Sequence, residues 1–152
     1  MERHQVIARA CSLGQSHIRG ISATLSLLDK TMCEFEEWAN GREIHPILFE
    51  IENPLTPELG RHILQLLMEM WETLRDIRDT LGLEKTVRTA DRIILGSCST
   101  NWAALLELQG TKLRRYGELP DELISYLDPK TKLLTDALRQ IASIAGGRTS
   151  EG

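Results

Sequence analysis

Residues 1–40, MERHQVIARACSLGQSHIRGISATLSLLDKTMCEFEEWAN, hold the reading on which the fold depends. Taken in alternating steps of four and three they present Ile7, Cys11, Gly14, Ile18, Ile21, Leu25, Leu28, Met32, Phe35 and Ala39. Every one is apolar or small, and no proline falls among them. A 3.5-residue apolar repeat held this long draws one narrow stripe along a helix. At 1.5 Å per residue that helix is about 50 Å long, so further elements are expected to line up beside it. The spacing predicts a helix from about Glu2 to Ala39, stopped by Asn40-Gly41.

From residue 41 to 55 the period is lost, and Pro46 and Pro54 bar a long helix. Yet Ile44, Ile47, Leu48, Phe49 and Ile51 are apolar, so an ordered crossover packed over the bundle end is expected; the other reading is a partner-binding flap. A second helix opens on Thr56 as N-cap and Pro57 at N1, with Glu58 at the positive end of the dipole. Its stripe runs Leu59, Ile63, Leu66, Leu67, Met70, Leu74, Ile77 and Leu81, and Gly82-Leu83 gives a Schellman ending. A third helix is expected from near Glu84 to Tyr116 after a very short turn, with a weak point at Gly110. A fourth begins at Pro120, is kinked or restarted at Asp128-Pro129, and carries Leu133, Leu134, Leu138, Ile141, Ala142 and Ala145 to Gly146-Gly147.

These elements make an all-α chain: a four-helix bundle, mainly up-down-up-down, with an over-long first helix and a long ordered crossover. One bundle domain covers residues 1–147, and 148–152 are expected to be a disordered tail. The chain has 152 residues, is 41% hydrophobic and 26% charged, and has only 5% aromatics, which favours helices over a β-sandwich. Its net charge of −4, with acids and bases mixed, shows no basic face; Lys112, Arg114, Arg115, Lys130 and Lys132 read as a solvated helix end. No nucleic-acid partner is expected. No eighteen-residue apolar run and no signal-peptide core are found, so neither a membrane nor export is expected and the cytoplasm is the default.

Cys11, Cys33 and Cys98 are far apart and lack metal spacing, so neither a disulfide framework nor a zinc site is expected. Carboxylate-bridged metals need Glu-x-x-His, which is missing; Glu34/Glu37 and Glu69/Glu72 have no histidine partner. No cofactor fingerprint, phosphate loop or nucleophile elbow is present, and no catalytic residue is assigned. His17, beside the first stripe and near Gly20, has the placement of a phosphotransfer histidine, though boundary histidines are far commoner. The centre of the third helix, Gly96, Ser97, Cys98, Ser99, Thr100 and Asn101, is small and polar where helix formers are expected. It reads as a close helix approach or, functionally, as a ligand pocket at Gly96, Ser97, Cys98, Thr100 and Asn101. Glycines 14 and 20 suggest a similar close approach along the first helix.

The functional expectation is a non-enzymatic bundle working through protein–protein contacts, as a homo-oligomer, adaptor or regulatory subunit. A small-ligand sensor is the alternative. The first turns of the long helix would overhang the bundle, and an isolated overhang is marginal in water. A homodimer would cover it. The expected interface is Val6, Ile7, Ala10, Cys11, Gly14, Ile47, Leu48 and Phe49, and a further protein partner is possible.

Overall fold

The computed structural model describes residues 14–147. Among them the chain is all-helical, with no strand: α1 (Gln15–Ala39), α2 (Pro57–Leu81), α3 (Ala90–Leu106), α4 (Gly110–Leu113), a 3-10 turn (Arg114–Tyr116) and α5 (Asp121–Ala145). The chain forms two compact units, one ending at Lys85 and the other starting at Thr86. Each is an antiparallel helical hairpin.

In the first unit α1 begins later than its apolar register suggests. Gly14 is the N-cap in extended backbone, so the described helix has 25 residues rather than nearly forty. Glycine is the weakest helix former after proline, and at this position it ends the helix instead of sitting inside it. Val6, Ile7, Ala10 and Cys11 lie outside the described residues. The other end is as expected: Gly41 turns left-handed, with the Gly41 N–H on Trp38 O and the Arg42 N–H on Glu37 O.

Helix α2 has the bounds its signals predict. The Thr56 hydroxyl accepts the Leu59 N–H, Pro57 fills N1, and Gly82 at φ 64° lets the Leu83 N–H close on Arg78 O. The two helices meet along Met32, which is fully buried, and Leu67, 2% exposed. Gly60 permits the closest approach. A Cβ there would stand 2.4 Å from the Ala39 carbonyl oxygen, so only glycine lets α2 start against the last turn of α1. Gly20 has no such role, since nothing lies within 4 Å of its Cβ position; at Gly14 a Cβ would meet only the ring of His17. Further along the hairpin the Trp71 indole N–H donates to Asp29 Oδ1 at 2.9 Å.

The second unit departs further from expectation. Residues 83–89 are not helical, and α3 starts only at Ala90, after Thr89. Thr86, Val87 and Thr89 are β-branched and weaken helix there. Glu107 to Gln109 then break it, and Gly110 opens α4 with its N–H on Asp128 Oδ1 at 3.1 Å. A Cβ on Gly110 would fall 2.6 Å from the Ile124 side chain. Helix α5 runs unbroken through Pro129, so Asp128 is no new N-cap; its carboxylate holds the α4 turn instead. The seam also differs in kind. It closes on Cys98, Thr131 and Thr135, whereas Leu133, Leu134 and Ile141 of the expected stripe are exposed.

Candidate binding surfaces

The small, polar centre of α3 turns its hydrogen bonds inward. Thr100 Oγ1 donates to Gly96 O at 3.0 Å and Asn101 Nδ2 to Ser97 O at 2.9 Å, so both side chains satisfy carbonyls of their own helix. Cys98 is buried on the seam, while Gly96, Ser97, Ser99, Thr100 and Asn101 are exposed. No atom lies within 4 Å of a Cβ built on Gly96, so α3 makes no close approach there. Gly96, Ser97, Cys98, Thr100 and Asn101 share one helical segment, with Cys98 turned to the seam and the others to solvent.

A concavity of this unit lies one turn further on and was not foreseen. A cleft of about 520 Å³ runs between α3 and α5, with Trp102 and Leu106 on one wall and Lys132, Asp136 and Arg139 on the other. Its charges already have partners. Lys132 Nζ donates to Asp136 Oδ2 at 2.8 Å, and this bond, with the nearby cations, holds the Asp136 carboxyl below its usual range. The Arg139 guanidinium stacks 5.3 Å from the Trp102 ring centre, and the buried Trp102 indole N–H has no acceptor among the described residues. The Thr135 hydroxyl donates to Lys132 O. Nothing here pairs a nucleophile with a base.

The other reactive side chains are dispersed. His17 is exposed in the first turn of α1, with no hydrogen-bonded carboxylate among the described residues. The Cys33 thiol is pushed up by desolvation and then by Asp29, Glu36, Glu37 and Glu34, which disfavours the reactive thiolate. Among the described residues no group of His, Cys, Asp and Glu could hold a metal ion, and no helix is long and apolar enough to cross a membrane.

One surface feature is apolar and belongs to the first hairpin. Stepping round α1 from Met32 in one rotational sense brings Leu28 and Phe35. The same sense on α2, from Leu67, brings Met70, Leu66 and Leu59. Because the helices are antiparallel, both rows fall on one side of the hairpin. Leu28, Phe35, Leu59, Leu66 and Met70 are all exposed, Leu66 by 60%. The apolar face of α2 is wider than its contact with α1, and the surplus forms this side.

The second apolar feature is the segment between α1 and α2. Its ends are tied down: Asn53 Nδ2 donates to Trp38 O at 2.9 Å, Asn53 Oδ1 accepts the Leu55 N–H, and Ile44 and Pro46 are half-buried. Its middle is not packed, contrary to the expected crossover. Ile47 is 97% and Leu48 94% exposed at a bend, and Phe49 and Ile51 are exposed beside them. Pro46 and Pro54 keep the segment from continuing either helix.

A scan against protein-family models finds no match, and searches of curated proteins and solved structures find no similar chain. The surfaces themselves therefore carry the functional argument.

Proposed function

We propose that this chain is a non-enzymatic helical protein that acts through protein–protein contacts, beginning with its own dimerisation. The carrying observation is the exposed side of the first hairpin, Leu28, Phe35, Leu59, Leu66 and Met70, beside a seam whose only deeply buried large side chains, among the described residues, are Met32 and Leu67. A two-helix unit with so small a core is marginal alone and gains by covering that side. A second copy related by a two-fold axis offers the same side in return, and two hairpins so paired make a four-helix bundle. Residues 1–13 carry the apolar positions first expected at the interface and extend the same proposal.

A second reading completes the up-down-up-down four-helix bundle within one chain. It is favoured by the exposed Leu123, Leu134 and Ile141 of α5 and Ile94 of α3, which form the corresponding side of the second hairpin. Light scattering separates the two, because only the first gives twice the chain mass. Leu66→Glu distinguishes them further: it splits the dimer in the first reading and lowers the melting temperature of a monomer in the second.

A further inference from the structure

Between Arg42 and Arg61 the chain has Glu43, Glu50, Glu52 and Glu58 and no lysine or arginine. Within that acidic stretch, Ile47 and Leu48 stand almost wholly in solvent at a bend, with Phe49 and Ile51 exposed behind them. A cluster of four large apolar side chains raised on a loop is unusual, since loops ordinarily carry polar residues at their tips. The loop is also held in shape. Asn53 bonds to Trp38 O, and Arg42 stacks on the Trp38 ring and pairs with Glu37, so both ends are fixed on the last turn of α1. A tip presented on fixed shoulders loses less freedom on binding than a floppy one. Among the described residues, residues 43–54 make no backbone–backbone hydrogen bond, so their N–H and C=O groups are free for a partner's. Pro46 and Pro54 bracket the tip and discourage indiscriminate strand pairing.

We propose that the Ile47–Leu48 tip with its acidic shoulders is a docking element, received by an apolar pocket rimmed with lysine and arginine on a different protein. Charge chooses among the occupants. A second copy would bring two sets of Glu50 and Glu52 together, and an anionic lipid surface would repel the same carboxylates. A basic rim attracts them and steers the encounter. The inference rests on the reading of the chain as an interaction protein, but not on self-association through the hairpin side.

The test places a photo-crosslinking benzoylphenylalanine at Leu48 of the full chain, irradiates it in extract of the cells that make the protein, and maps the adduct by mass spectrometry. The expected result is one predominant protein adduct, on a peptide where apolar residues alternate with Lys or Arg. Its yield should fall about tenfold in the Glu50→Lys/Glu52→Lys chain, whose melting temperature stays unchanged because both residues are exposed. Adducts on a second copy, on lipid, spread over many proteins, absent altogether, or indifferent to the charge reversal would each overturn it. Light scattering on the charge-reversed chain keeps the two proposals apart, since dimerisation through the hairpin side should survive there.

Discussion

In the first hairpin the seam closes on Met32 and Leu67, and large apolar side chains are left outside on one side. In the second it closes on Cys98, Thr131 and Thr135, at 7%, 4% and 7% exposure, with a charged cleft alongside. The same two-helix plan thus leaves different surfaces. Where the seam is apolar, the helix faces are wider than the contact and the surplus invites a partner. Where threonines fill the seam, a cleft of paired charges runs along one side, as Lys132 with Asp136, while Ile94, Leu123, Leu134 and Ile141 lie exposed on the other.

The contrast is broken most severely at Met32. Met32→Ala should cost about 2–5 kcal/mol in denaturant unfolding, a large share of any small domain's stability. Cys98→Ala, at the matching place in the second seam, should cost clearly less, because fewer buried atoms are removed. Equal losses would mean that the second seam is as apolar in effect as the first.

Glycines give the next largest difference. Gly60→Ala drives a methyl onto the Ala39 carbonyl oxygen, a backbone atom that cannot rotate away, and should cost about 1–3 kcal/mol. Gly96→Ala meets open space and should instead stabilise α3 by up to about 1 kcal/mol. Denaturation midpoints of the two variants should therefore move in opposite directions. A destabilised Gly96→Ala would show that another surface does press on α3.

Much of the first hairpin was legible because its signals are local. Thr56-Pro57 satisfies helix-start donors, and Asn40-Gly41 and Gly82-Leu83 end helices by backbone geometry that neighbouring residues dictate. The start of α1 was misread because periodicity continues through Gly14 whether or not the helix does. Breaks before Ala90 and after Leu106 were missed for a related reason: apolar spacing is indifferent to the β-branched Thr86, Val87 and Thr89 and to the Asp128 bond that fixes Gly110. Thr131 and Thr135 could not be picked out as seam residues, since pairing with α3 selects which stripe of α5 is buried. The α3–α5 cleft follows from that same choice. The unpacked tip at Ile47-Leu48 was hidden because apolar composition states what prefers burial, not whether a surface is within reach.

The smallest expected effect is on pH. Asp91, Glu107 and Asp136 have carboxyls held below their usual range, by the Thr89 hydroxyl, the Lys112 ammonium and the Lys132 ammonium respectively, and all three belong to the second hairpin. A folded-state value below the unfolded one stabilises above the ordinary carboxylate range and loses that contribution as pH falls through the lowered values. Because the three groups are solvent-exposed, the change should be slight and weaker still in salt. Circular dichroism between about pH 5 and pH 2 should show the second unit's helices melting a few degrees lower, with Lys132→Met and Lys112→Met reducing the difference.

The central claim is that the apolar side of the first hairpin is covered by a second copy, and multi-angle light scattering measures this directly. The full chain at tens of micromolar should give twice its 17.2 kDa mass. Leu66→Glu should return it to the single-chain mass, because a charge brought into a dry apolar contact is strongly disfavoured. A monomeric full chain, or a Leu66→Glu chain that still runs as a dimer, contradicts the account.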